Sequence, residues 1–151
     1  MKSKKMGAIR VNVKLTNAGD ETLVSRGLLA PHLLRECEAQ ALVDTGALTL
    51  VIPHQITQEL GLRIRRQQIA RYANGLEEAI GVTESVIVEC EGRQASLEAL
   101  VVGDEVLIGQ VVLELLDLLA DCKNQRLIPN PANPDYPVAI IKLLSQPNAV
   151  K

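Results

Sequence analysis

The chain contains no Phe and no Trp, and its aromatic content is two Tyr. Nucleic-acid bases therefore find no stacking platform, and any core must be built from Leu, Val, Ile and Ala. Charge of one sign is lacking too: 16 Lys and Arg stand against 18 Asp and Glu, a formal net charge of −2. Neutralising a phosphate backbone takes clustered positive charge, so no nucleic-acid partner is expected. The one local concentration, Arg63, Arg65, Arg66 and Arg71, reads as solvated charge on a loop or strand edge, with an anion-binding patch as the sharper alternative. No apolar run approaches the ~18 residues of a membrane span. Lys2, Lys4 and Lys5 look like the basic start of an export signal, but Met6 to Leu15 alternates polar and apolar residues, which is not the continuous apolar segment that export needs. A soluble, cytoplasmic protein with no membrane partner is the expectation.

Cysteine is scarce as well. Cys37, Cys90 and Cys122 are odd in number and far apart, which excludes the close pairs of zinc sites and disulfide frameworks and points to buried free thiols. His32 with Cys37 offers two candidate ligands, too few for a metal site, so neither metal nor cofactor is expected. A phosphate-cradling Gly-rich loop with Lys, a Ser in a nucleophile-elbow pattern and a Cys-His pair in a catalytic context are all missing. His54 reads as a helix-start residue.

What is present is strand. At 151 residues with 47% hydrophobic content, the chain is sized for one domain spanning 1–151, with a proline-rich tail over about 129–151. Ala8 to Leu15 alternates with period two, the pattern of a strand with one buried face. Asn17 to Asp20 breaks it, and Leu23 to Glu38 reads as an irregular connection. Ala39 to Val43 and Leu48 to Ile52 are strand runs separated by Asp44-Thr45-Gly46. Pro53 starts a short helix through Ile56 and Leu60, closed by Gly61. Gln67 to Ala73 and Leu76 to Ile80 flank Asn74-Gly75, the dipeptide suited to a two-residue hairpin turn. Ser85 to Cys90 and Ala95 to Val102 are two more strands around Glu91-Gly92-Arg93. Val106 to Ile108 is a short buried strand, after which Val112, Leu115, Leu116 and Leu119 form one helical face. Arg126 to Ile128 and Val138 to Leu144 complete the strand candidates.

The chemistry lies in Asp44-Thr45-Gly46. Activating water for amide hydrolysis with carboxylates takes two of them close together, because neighbours cannot both hold full charge and so share a proton. Asp44 supplies one. Gly46 permits a tight turn, and the Thr45 hydroxyl can bond to another backbone and lock the loop. Apolar strands on both sides place this polar turn at the base of a dry cleft, where electrostatic effects are strong.

Ala41-Leu42-Val43-Asp44-Thr45-Gly46-Ala47, followed by an apolar strand, resembles the catalytic loop of the retropepsin-like aspartic proteases. Val106-Leu107-Ile108-Gly109 resembles the segment that threads beside that loop in the family and leads into a helix, and the hairpin at Asn74-Gly75 stands where the family has its flap. Order and spacing cover roughly residues 8 to 128 and look most like the small bacterial members. The resemblance implies an all-β fold with one or two short helices, closed into an acid-protease-like β-barrel, one lobe per chain. It implies Asp44 as the catalytic residue, with Thr45 and Gly46 supporting its loop. Ala47, Tyr72, Ala73, Asn74 and Gly75 would bind substrate, and Leu107, Ile108 and Gly109 would give structural support. Three departures stand out. Gln110 occupies a position that is basic or Asn in viral enzymes, Tyr72 and Ala73 replace a Gly-rich flap tip, and the stretch from Leu23 to Glu38 is long.

Only one Asp-Thr-Gly occurs and no Asp-Ser-Gly, so the second carboxyl must come from a second copy of the chain across a twofold axis. The partners expected are that copy and an extended peptide or protein substrate, bound through its backbone as in strand addition. Two other readings stay open: a catalytically silent dimeric peptide-binding or scaffolding module of the same fold, and an unrelated β-rich interaction domain, such as half of a toxin-antitoxin pair, with Asp44 on the surface of a monomer.

Overall fold

The computed structural model describes residues 8–143. The alternation near the start produces β1 (Arg10–Asn17), whose Val11, Val13 and Leu15 are buried while Arg10 and Asn12 face solvent. Around it are β2 (Glu36–Val43) and β6 (Val86–Cys90), both antiparallel to it. With β3 (Leu50–Ile52), β4 (Ile64–Arg71), β5 (Glu77–Thr83), β7 (Arg93–Leu97), β8 (Ala99–Val101) and β9 (Val106–Ile108) they form a nine-stranded sheet in the order β4-β5-β8-β3-β9-β2-β1-β6-β7. β10 (Leu118–Asp121) and β11 (Arg126–Pro129) make a separate hairpin. One aliphatic core joins Leu15, Leu50, Ile52, Leu60, Ile108 and Leu116, as a chain without Phe or Trp requires.

The expected closed barrel is not found: among the described residues β4 and β7 are the two ends of the sheet and do not pair with each other. β4 carries three arginines and no buried residue, and charge along an edge strand opposes further pairing. Among the described residues the fold is mostly β, with three α-helices rather than one or two: α1 (Ala18–Ser25), α2 (His54–Glu59) and α3 (Gln110–Leu116).

α1 lies where a break and an irregular stretch were expected. Its only buried residue is Asp20, so it has no apolar stripe to reveal it. It is held by polar contacts instead. The Asn17 side chain accepts the Asp20 amide at 3.0 Å, an N-cap, and its Nδ2 donates to Leu60 O at 2.8 Å at the end of α2. Arg35 donates to the Asp20 carboxylate from its backbone amide, Nε and Nη2 at 3.1, 2.8 and 3.0 Å.

Other expectations need smaller corrections. Asn74-Gly75 does not form a two-residue turn: Gly75 N donates to Tyr72 O at 2.9 Å and Tyr72 N to Leu76 O at 2.8 Å, leaving a three-residue loop. Of the two residues only Gly75 has a positive φ, +87°, and a two-residue type I′ turn needs both. That turn occurs instead at Glu91-Gly92, with φ of 53° and 76° between the paired Cys90 and Arg93. Helix α3 buries Val112, Leu113 and Leu116, while Leu115 is exposed and Leu119 belongs to β10. Asp117, in the left-handed conformation, ends the helix before Leu119. Cys90 is buried, Cys37 half-buried and Cys122 exposed in the β10–β11 turn, so only one thiol is fully interior. Residues 138–143 form no strand, and Leu144, like Lys2, Lys4, Lys5 and Met6, lies outside the described residues. No helix among the described residues is long and apolar enough to cross a membrane.

Candidate functional site

The Asp44 loop is shaped by the strand that passes between its two flanks. β9 runs parallel to β2 on one side, with Val43 opposite Ile108, and antiparallel to β3 on the other, with Leu50 again opposite Ile108. Since β2 leads into the loop and β3 leads out, the loop must arch over the end of β9. Ile108 O accepts the Asp44 amide at 3.0 Å, which seats the start of the arch. The Asp44 carboxylate then turns back on its own chain, with Oδ1 accepting the Gly46 amide at 2.9 Å, and Ala47 N closes the turn onto Asp44 O at 3.0 Å. This Asx turn orients the carboxylate and leaves Oδ2 outside that contact. Asp44 is half-buried, and Thr45 and Gly46 are exposed.

The far side of the arch is tied to α3. Gly109 N, Gln110 N and Val111 N donate to Thr49 O, Ala47 O and Leu48 O at 3.1, 3.0 and 2.8 Å. These are amides a helix start leaves without intrahelical partners, and the loop carbonyls satisfy them. Space explains Gly109: a Cβ there would lie 2.6 Å from Ala47 O, 2.7 Å from Thr49 N and closer still to Thr49 O. Leu107 is half-buried and Ile108 fully buried beneath the arch. The predicted loop and support residues are thus brought together as one unit. The predicted locking contact of Thr45 is different: among the described residues its hydroxyl makes no hydrogen bond within this chain. Thr45 instead borders a cavity of about 270 Å³ shared with Gln110, Leu113, Asp117 and Leu119.

Tyr72, Ala73, Asn74 and Gly75 sit at the tip of the β4–β5 hairpin, and none of the hydrogen bonds or strand pairs joins them to residues 44–47. The hairpin carries its own bracing. Tyr72 Oη donates to Glu78 Oε1 at 2.6 Å, which pushes the phenol above its usual pKa, and Arg71 pairs with Glu77 at 2.7 Å. Gln110, the departure from a basic residue, donates to Glu114 one turn on at 3.1 Å.

Two structural residues near the site were missed. Arg93, only 6% exposed, donates from Nη1 to Leu116 O at 3.2 Å and Asp117 O at 2.9 Å, and from Nη2 to Asn133 O. It thereby satisfies the carbonyls at the end of α3. The Asp117 carboxylate accepts from Asn130 Nδ2 at 3.0 Å, Asn133 Nδ2 at 2.7 Å and Val138 N at 3.0 Å. Those donors, the Asn130 amide first, hold Asp117 below the usual carboxylate range. The only signal in the sequence was the repeated Asn-Pro at Asn130-Pro131 and Asn133-Pro134.

Residues 34–114 match the sequence family described as "gag-polyprotein putative aspartyl protease". No curated protein matches the chain. Among solved structures, the solution structure of the Simian Foamy Virus (mac) protease is similar with a TM-score of 0.45 and 16% identity, over 71% of this chain and 93% of that one. The EIAV protease complexed with the inhibitor HBY-793 is similar with a TM-score of 0.43 and 22% identity, over 51% of this chain and 75% of that one.

Proposed function

Because the chain belongs to the gag-polyprotein aspartyl protease family, a family of retropepsin-like aspartic proteases, we propose that it is an aspartic endopeptidase whose catalytic residue is Asp44, completed by the Asp44 of a second copy. The observation that carries the reading is the arch itself: a single Asp-Thr-Gly whose carboxylate is oriented by the Gly46 amide at 2.9 Å over a strand threaded between its flanks. One such arch holds one carboxylate. An isologous pairing about a twofold axis brings each arch against its own copy, and Thr45, exposed and without a hydroxyl partner among the described residues, is then free to bond across the axis.

With the two carboxyls close, one is protonated and one ionised. The ionised one takes a proton from water as the oxygen attacks the peptide carbonyl, and the protonated one donates to the carbonyl oxygen. Collapse of the tetrahedral intermediate breaks the C–N bond, with the proton delivered to the leaving amine. The peptide lies extended between the arch and the β4–β5 hairpin, held by backbone hydrogen bonds. Ala47 lines the arch side, and Tyr72, Ala73, Asn74 and Gly75 line the hairpin side.

Asp44→Asn tests this directly, because the amide oxygen can still accept the Gly46 N–H while the acid-base pair is lost. Cleavage of a denatured protein mixture should fall by at least ~10³-fold, with the sedimentation coefficient unchanged and an optimum on the acidic side of neutral in the wild type. A variant that cleaves as fast as the wild type, or a protein that sediments as a monomer while active, overturns the proposal. Binding of a statine peptide without any cleavage would instead identify the silent peptide-binding module.

A further inference from the structure

The β4–β5 hairpin is attached to the sheet over a short length. β5 is paired to β8 only at Gly81 and Val82, opposite Val101 and Leu100. Among the described residues the hairpin continues outward to Arg71 and Glu77 with no third strand beside it. A two-stranded ribbon of that kind has little stability of its own, so its root decides how it moves. At that root the β4–β5 register shifts between Ile64 and Arg66, a bulge at Arg65.

A bulge breaks the alternation of side chains along a strand, and here the consequence is a convergence of charge. Arg65 Nη1 and Arg66 Nη2, adjacent in sequence, both reach Glu98, at 3.0 Å to Oε2 and 3.0 Å to Oε1. A regular strand would send the two to opposite faces. Glu98 lies between β7 and β8, so one carboxylate fastens the root of the hairpin to the body of the sheet. Glu98 is 32% exposed in its side chain, less than the 56% and 53% of its two partners. An isolated surface pair contributes little, whereas a carboxylate with both oxygens engaged forms a small network. The Arg cluster that composition marked as solvated or anion-binding is thus partly spent on this clamp.

We infer that Glu98 is a positioning residue: through Arg65 and Arg66 it limits the swing of the β4–β5 hairpin and so sets how firmly the hairpin closes on an extended peptide. The second half of this inference rests on the protease reading, and the first does not. Hydrogen exchange of the full chain separates them. Glu98→Gln keeps the shape and removes the charge. Amides of residues 68–80 should exchange about fivefold faster, with the melting temperature and the exchange of β1 unchanged, whereas Glu77→Gln, altered within the hairpin, should affect only the tip. Raising salt to about 1 M should speed exchange at the root in the wild type and much less in Glu98→Gln. For peptide cleavage, KM should rise about fivefold while kcat stays within twofold. Unchanged exchange in Glu98→Gln overturns the clamp, and faster exchange with an unchanged KM overturns its link to substrate. A wild type that cleaves nothing refutes the protease reading, while the exchange result still decides the clamp.

Discussion

Gly109→Ala is the sharpest test of the arch, because its effect can be worked out from distances. Gly109 has φ of −89° and ψ of −176°, an extended conformation open to any residue, so the cost of a side chain there is purely one of space. A Cβ would stand 2.6 Å from Ala47 O and 2.7 Å from Thr49 N, and closer to Thr49 O. All three are backbone atoms of the loop, with no flexible side chain to move aside. The loop and the start of α3 must separate, stretching the bonds to Thr49 O, Ala47 O and Leu48 O that now measure 3.1, 3.0 and 2.8 Å. Three backbone bonds at about 1 kcal/mol each, with overpacking of ~1–3 kcal/mol and some relaxation, give a loss of about 3–5 kcal/mol. That is a large part of the ~5–15 kcal/mol a domain has, yet small enough for the protein to fold. Urea unfolding followed by far-ultraviolet circular dichroism measures it. Gly103→Ala is the control: Gly103 has φ of +77° with nothing within 4 Å of a Cβ, so backbone strain alone should cost about 1–2 kcal/mol. If Gly109→Ala costs less than Gly103→Ala, the close approach of the α3 start to the Asp44 loop is wrong.

Three further outcomes are expected. Arg93→Met leaves Leu116 O, Asp117 O and Asn133 O without their buried donor and should destabilise by about 3 kcal/mol, read as a lower urea midpoint with faster proteolysis of residues 130–138. The Asp20 carboxyl is held below its ordinary pKa by its side-chain hydrogen bonds with Arg35, against an opposing contribution from burial. A depressed carboxyl contributes stability that is present above the unfolded value of ~3.9 and is lost as pH falls through the folded value, so the gap in urea midpoint between wild type and Asp20→Asn should be constant near neutral pH and narrow below about pH 4. A gap that widened on acidification would contradict the Asp20–Arg35 assignment. Burial pushes the Cys90 thiol up to about 11, and Cys122 is exposed. Alkylation at neutral pH should therefore modify Cys122 first and Cys90 only on unfolding, as peptide mass mapping would reveal.

Much of the framework of the candidate site was legible because its signals are local. Period-two alternation marked β1, and apolar runs on either side of Asp44-Thr45-Gly46 marked β2 and β3. Val106-Leu107-Ile108 followed by Gly109 marked the threaded strand and the helix after it. Each depends on a residue and its near neighbours, or on a glycine that a crowded backbone demands. α1 was not legible, because it has a cap and an ion pair but no apolar stripe. The hairpin turn was misjudged because Asn-Gly serves equally as the end of a three-residue loop, and the difference lies in the φ of Asn74.

From the sequence by itself came most of the strands, though not β10 or the division of Ala95–Val102 into β7 and β8, together with the aliphatic core and the single Asp-Thr-Gly with its supporting segment, all set by patterns a few residues long. Tertiary structure alone decided that the sheet stays open and that Arg65 and Arg66 converge on Glu98. It also decided that Asp20 meets Arg35 fifteen residues on and that Arg93 meets Asn133 forty residues on. Such contacts carry no periodicity along the chain: they exist because the sheet brings distant segments side by side, and a buried or clustered charge takes whatever partner that juxtaposition supplies.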